Sequence, residues 1–116
     1  MNIQEFEYNA DKAAALLKVL ASRPRLTVLC YLADHERSVG EIAALTGMRM
    51  ASVSQHLAAL RAEGVVAGRR AGTTIHYRLR DPLARDLMAA LERAYCQGAR
   101  GGPAAIAERP AETAQG

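Results

Sequence analysis

The chain has 116 residues, about 50% of them apolar, which is enough for one small domain. It has one Phe and no Trp, so its core must be aliphatic, and such a core is thin for a monomer of this size. No run approaches the ~18 apolar residues of a membrane span, and the acidic N-terminus lacks the features of a signal peptide. We therefore expect a cytoplasmic protein, not associated with membranes, whose two cysteines are reduced.

Two helices are predicted at the start of the chain. Residues 1–8 are polar and expected to be frayed, and the first helix should be capped by Asn9 or Asp11 and run to about Ala21. The second begins at Pro24, which a first turn tolerates, and runs to about His35. It is apolar round much of its circumference, which is typical of a helix at the centre of a domain, through Leu26, Val28, Leu29, Cys30, Leu32 and Ala33.

Residues 38–64 have the pattern of two short helices joined by a tight turn. Ser38 and Glu41 are spaced as a capping box, and Gly47 can take the positive φ that a turn between crossed helices needs. The next helix, roughly Met50 to Glu63, ends at Gly64. One stripe of this helix has the spacing of a buried face, Val53, Leu57 and Leu60.

The opposite side of this helix carries short polar side chains near its start. An ordinary amphipathic helix would have several Glu and Lys there, whereas Ser52, Ser54 and Gln55 suit a helix that enters the major groove, where Gln pairs with adenine. We expect these three to contact bases and Arg49 to contact a phosphate. His56, at the edge of the buried stripe, is expected to pack or bond locally, with a phosphate contact as the second interpretation.

A β-hairpin is predicted next, from Val65 to Arg70 and from Thr74 to Leu79, joined by Ala71-Gly72. In the second run Ile75, Tyr77 and Leu79 alternate with His76, Arg78 and Arg80, which predicts one apolar face and one cationic face. The residues expected to hold phosphates or touch DNA from this wing are Arg69, Arg70, His76 and Arg78.

The distribution of charge agrees with this interpretation. Residues 49–80 hold six arginines against Glu63 alone, whereas each flanking segment has one more acidic than basic side chain. Clustered arginine is the electrostatic signature of phosphate contact, and the alternative is a solvated basic surface without a ligand.

A last helix is predicted from Asp81-Pro82 to about Gln97, with Leu83, Leu87, Leu91 and Tyr95 on one stripe, and Gly98 ends it. Residues 99–116 are rich in Gly, Ala, Pro, Glu and Gln and are expected to be a disordered tail. The prediction is a mainly α domain at 1–98, a winged helix-turn-helix with five helices and a small β-hairpin wing. The first and last helices are not needed for the core, so we expect them to form a homodimer whose recognition helices lie about 34 Å apart on a palindromic double-stranded operator.

The chain resembles the ArsR/SmtB family of winged-helix repressors over roughly residues 10–97. The resemblance is carried by three segments that follow one another, SVGEIAALTG, SVSQHLAALRAEGVV and RRAGTTIHYRL. The resemblance implies a dimeric repressor that an inducer releases from DNA. Metal-sensing members have a Cys-x-Cys pair where this chain has Ser38-Val39-Gly40-Glu41, and the last helix here has no histidine. We therefore expect no metal and no cofactor, with a metal-responsive member as the alternative.

Cys30 and Cys96 resemble the cysteine pair of the family branch that senses persulfides and oxidants, the BigR and SqrR type. The resemblance implies that a disulfide or polysulfide bridge joins these thiols, that DNA affinity then falls, and that the controlled genes concern reactive sulfur. Two alternatives remain. Both cysteines could be small apolar fillers, or the chain could be a small thiol oxidoreductase, although it has no Cys-x-x-Cys motif and we expect no catalytic residue.

Overall fold

The computed structural model describes residues 1–96, in which the chain forms five helices and three short strands. In chain order these are α1 (Ile3–Leu20), α2 (Arg23–Leu32), β1 (Arg37–Ser38), α3 (Val39–Thr46), α4 (Met50–Ala62), β2 (Val66–Ala71), β3 (Thr74–Leu79) and α5 (Pro82–Tyr95). The predicted mainly α winged helix-turn-helix is confirmed. The chain divides into two compact units, the first being Met1–Asp81 and the second beginning at Pro82. The predicted tail at 99–116 lies outside the described residues.

Helix α1 begins earlier than predicted. The prediction of a frayed stretch at residues 1–8 is wrong, because Asn2 caps the helix and its Oδ1 accepts a hydrogen bond from the Glu5 N–H at 3.0 Å. Asn9, the predicted cap, lies inside the helix, where its Nδ2 donates to the Glu5 carbonyl at 3.2 Å. A short polar residue at position 2 is therefore the start signal, and the one at position 9 is not.

Helix α2 begins as predicted and ends early. Ser22 caps it, and Pro24 lies in the first turn, where its missing N–H costs nothing. The helix stops at Leu32 rather than near His35. One of its terminal carbonyls, that of Tyr31, accepts a hydrogen bond from Arg37 Nε at 2.6 Å, so a side chain from the following strand satisfies this helix end.

The core of the first unit lies between α2, α3, α4 and the start and end of the hairpin. The predicted stripe of α4 is confirmed, since Val53, Leu57 and Leu60 are buried. The other large side chains that are fully buried with them are Val28, Leu29, Leu32, Ile42, Val65, Val66 and Leu79. Each such side chain contributes roughly 1.5–3 kcal/mol by leaving water, so packing fixes the inner side of α4 and leaves its outer side exposed.

The sheet has three antiparallel strands in the order β1-β3-β2. Strand β1, which the sequence did not predict, places Arg37 opposite Tyr77 and Ser38 opposite His76. The hairpin turn is formed by Gly72 and Thr73 rather than by Ala71-Gly72, since Ala71 pairs with Thr74. Gly72 has a φ of 65°, the left-handed conformation that a two-residue hairpin turn requires.

Helix α5 is amphipathic, and it begins at Pro82 as predicted. Its buried residues are Ala84 and Met88. The predicted stripe lies beside them and is largely exposed, with Leu83 at 54%, Leu91 at 38% and Tyr95 at 55% of full exposure. None of the helices within residues 1–96 is long and apolar enough to span a bilayer.

Candidate nucleic-acid interface

The turn that presents α4 is held by short polar contacts. The predicted capping box is confirmed, because Ser38 Oγ accepts from the Glu41 N–H at 3.1 Å and Glu41 Oε1 accepts from the Ser38 N–H at 2.8 Å. The backbone N–H of Ser38 holds the pKa of the Glu41 carboxyl below its ordinary value of 4.5. Gly47 then takes a φ of 78°, and Thr46 Oγ1 accepts from the Met48 N–H at 3.2 Å. These contacts set the entry of the chain into α4.

The outer face of α4 has the composition that the sequence indicated. Ser54 and Gln55 are exposed, and Ser52 is half-buried. Arg49 is the exposed N-cap residue, and no side chain caps the helix start, so the N–H groups of the first turn remain open to an anion such as a phosphate. His56 is half-buried, which agrees with the first interpretation of this residue, local packing.

The wing arginines do not share one face. Partners in the register lie on the same side of a sheet, so Arg70 shares a face with Ile75, and Arg78 lies on the other face opposite Ala67. Both arginines are exposed. The predicted division into an apolar and a cationic face therefore holds near Leu79, which is buried, and fails towards the tip, where Arg70 is on the side that bears Ile75 and Tyr77.

Two of the predicted wing contacts have partners within the protein. Arg69 Nε lies 2.8 Å from Glu36 Oε1, in an ion pair between β2 and the loop before β1. His76 is half-buried on the central strand, between Ser38 and Arg69, and close enough to Glu41 to lower the pKa of that carboxyl, as Arg37 also does. The sequence pattern grouped His76 with Arg78 and predicted a phosphate contact for Arg69, and it gave no sign of Glu36 as a partner.

The two cysteines are thiols, and both residues are exposed. Exposure of Cys30 contradicts its interpretation as a buried apolar filler. Cys96 directly follows α5, where its N–H donates to the Glu92 carbonyl at 2.8 Å. Among residues 1–96, no group of three or more His, Cys, Asp or Glu side chains is placed to hold a metal ion.

Comparison with known proteins decides the family. Residues 22–67 match the family described as bacterial regulatory protein, arsR family. The transcriptional activator HlyU of Vibrio cholerae is 42% identical over 97 residues, which cover 84% of this chain and 90% of HlyU. This chain belongs to the ArsR family. Like its relatives it is a transcriptional regulator and not an enzyme, so the thiol oxidoreductase alternative is set aside.

Solved structures agree with the fold. Reduced HlyU from Vibrio cholerae has a TM-score of 0.76 at 41% identity and covers 81% of this chain and 99% of HlyU. The transcriptional repressor BigR from Xylella fastidiosa has a TM-score of 0.72 at 38% identity, and the match covers 79% of this chain and 94% of BigR. The homodimeric winged helix-turn-helix domain of Mb0332 from Mycobacterium bovis has a TM-score of 0.68 at 37% identity, and the match covers 74% of this chain and 80% of the Mb0332 domain.

Proposed function

We propose that this ArsR-family regulator is a cytoplasmic, homodimeric repressor that binds a palindromic operator and is released when Cys30 and Cys96 are oxidised or persulfidated. The observation that carries the proposal is the exposure of both thiols, one on α2 and one just after α5. Sensing requires a thiol that an oxidant can reach, and a buried filler would not meet that requirement.

The DNA contacts are divided by chemistry. Ser52, Ser54 and Gln55 on the outer face of α4 contact base edges, which carry sequence information. Arg49, Arg70 and Arg78 hold phosphates, and His56 and His76 are secondary contacts because both are half-buried. Arg69 is paired with Glu36, so a phosphate would have to displace that carboxylate before Arg69 could serve in the same way.

A second copy of the chain covers the exposed apolar residues of α1 and α5. On α1 the positions of Ile3, Phe6 and Leu17 fit one stripe of heptad spacing, and their exposed fractions are 64%, 47% and 56%. On α5 the exposed stripe runs from Leu83 to Tyr95. Each of these exposed apolar stripes is suited to an interaction site, and the homodimeric state of Mb0332 supports a second copy as the occupant.

The sensing chemistry needs only a sulfane-sulfur donor. One cysteine thiolate attacks the outer sulfur of a persulfide such as glutathione persulfide, the S–S bond breaks, and glutathione leaves as the thiol. The second cysteine then attacks the inner sulfur of the cysteine persulfide, which forms a disulfide and releases hydrogen sulfide. If both cysteines first become persulfides, loss of hydrogen sulfide leaves a bridge with one extra sulfur.

Mass spectrometry of the whole chain after treatment with glutathione persulfide tests this sequence. We expect either the loss of two hydrogen atoms, for a disulfide, or the addition of sulfur atoms in a bridged form, together with a loss of operator binding. Cys30→Ser and Cys96→Ser should each bind the operator and no longer respond. Release of DNA by polysulfide in either variant would remove the dithiol mechanism.

Two further measurements address the alternatives. Equilibrium dialysis with zinc and copper(I) tests the metal-responsive alternative, and stoichiometric tight binding that changes DNA affinity would overturn the thiol proposal. The relatives include both an activator, HlyU, and a repressor, BigR. A transcription assay on the operator therefore determines the sign of regulation, and a fall in transcript with the reduced protein is the expected result.

A further inference from the structure

The ion pair between Glu36 and Arg69 is placed where the wing would meet DNA. In the sheet, Ser38 and Arg69 lie on either side of His76, so all three share one face. Glu36 directly precedes β1 and reaches Arg69 across the central strand, with 2.8 Å between Oε1 and Nε. The same face carries the exposed Arg78, so the acidic side chain shares a face with one of the arginines proposed to hold phosphates, whereas Arg70 lies on the other face.

This pair should contribute little to the stability of the fold. The side chains of Arg69 and Glu36 are 55% and 31% exposed, and ion pairs at such positions add little to the stability of a protein because water screens them. The carboxylate does, however, supply the guanidinium with the ligand that a phosphate would otherwise supply, an anionic oxygen at hydrogen-bond distance.

We infer that Glu36 is an internal counter-ion that holds Arg69 away from the phosphates and lowers the affinity of the wing for DNA. The inference rests on the proposed contact of the wing with DNA. In the complex, Arg70 and Arg78 act as phosphate contacts, whereas the Arg69–Glu36 pair stays closed and contributes no net charge. The chain thereby carries one fewer phosphate contact per subunit than its wing arginines would give.

Glu36→Gln tests the inference by removing the charge and keeping the shape of the side chain. The released Arg69 should tighten binding to duplex DNA about two- to fivefold per subunit, which is the range expected for one exposed charge pair. The plot of log affinity against log salt should become steeper by about 0.9 per subunit, the value for one added phosphate contact. Because phosphates carry no sequence information, operator and random-sequence DNA should gain equally.

The double variant Glu36→Gln/Arg69→Ala shows whether Arg69 stays paired with Glu36 in the DNA complex or leaves it to hold a phosphate. If Arg69 stays on Glu36 in the complex, removing both members removes no net charge, and the double variant should match the wild type in affinity and salt dependence. If Arg69 holds a phosphate in the wild-type complex, the double variant should lose affinity and salt dependence as Arg70→Ala does. That second result overturns the inference.

The matched control is Asp34→Asn, which removes one charge from an exposed residue of the same loop. It should leave affinity unchanged, and a gain equal to that of Glu36→Gln would show a general charge effect and overturn the inference.

The assay is fluorescence anisotropy of the full chain with labelled duplexes of about 30 base pairs, enough for two half-sites one helical turn apart. If Arg70→Ala also had no effect, the wing would not lie on DNA, and the inference would fail together with that part of the proposed function. An effect of Arg70→Ala without one of Glu36→Gln refutes the inference alone.

Discussion

Replacement of Gln55 by Ala should remove one of the proposed base contacts of α4 and leave the fold unchanged. Gln55 is exposed, and the packing of α4 depends on Val53, Leu57 and Leu60 on its other side. Alanine is a better helix former than glutamine, so helix propensity does not oppose the substitution. We therefore expect the free energy of unfolding to change by no more than about 0.5 kcal/mol, the usual range for a surface position.

The effect on specific binding should be much larger. A glutamine that makes both hydrogen bonds to adenine contributes about 1–3 kcal/mol of discrimination against a wrong base. A dimer presents the residue twice, so about 2–6 kcal/mol would be lost, which is at least about 30-fold in the dissociation constant. Binding to random-sequence DNA should change little, because phosphate contacts supply that affinity.

The measurement compares two labelled duplexes of equal length, an operator obtained by in vitro selection with the wild-type protein and a random sequence. Gln4→Ala, the same substitution at an exposed position of α1, is the matched control and should leave both affinities unchanged. If Gln55→Ala weakened both duplexes equally, or neither, the assignment of base contacts to this face of α4 would be wrong.

Four further outcomes are expected. Arg70→Ala should weaken operator and random DNA alike and reduce the salt slope by about 0.9 per subunit, as titrations over a salt series would show; an effect confined to the operator would contradict its role as a phosphate contact. Ser38→Ala should lower the free energy of unfolding by about 1 kcal/mol in urea denaturation, through loss of the α3 cap, and an unchanged midpoint would count against the capping box. Because the pKa of Glu41 is lowered in the folded state, the ionised carboxylate stabilises the fold above the ordinary value of 4.5, and this contribution is lost as pH falls through the lowered pKa. The free energy of unfolding of Glu41→Gln should therefore be lower than that of the wild type at neutral pH, and the two values should converge in acid. Leu91→Glu should yield a monomer in sedimentation and abolish operator binding, and a variant that remained dimeric would show that the exposed face of α5 lies outside the dimer interface.

Local signals predicted most of the fold. The capping box of Ser38 and Glu41, the turn at Gly47 and the buried stripe of α4 depend on residues within a few positions of each other, and the structure shows all three. The predicted start of α1 was wrong because Asn2, Asn9 and Asp11 all have side chains that can cap a helix. Which of them is the cap depends on where the first helical turn forms, and the side-chain chemistry does not decide that. Strand β1 was missed because two residues are too few to show an alternating pattern.

The candidate site was predicted in composition and only partly in arrangement. The sequence showed that six arginines cluster between residues 49 and 80. It did not show that Arg69 pairs with Glu36, since the two lie 33 residues apart and β1 brings them together. It also did not show that Arg70 lies on the face opposite Arg78, because this depends on the register set by the turn at Gly72. Pairing across strands is not encoded in local periodicity.

Ser38 ends β1 and also caps α3, so a single residue belongs both to the sheet of the wing and to the helix-turn-helix. No loop between them could absorb a change of angle. If Gln55 and Arg70 contact DNA as proposed, the distance along the double helix between the base that Gln55 contacts and the phosphate that Arg70 contacts should therefore be fixed. Operators in which one base pair is inserted between these two regions should be rejected, even when every contacted base is retained.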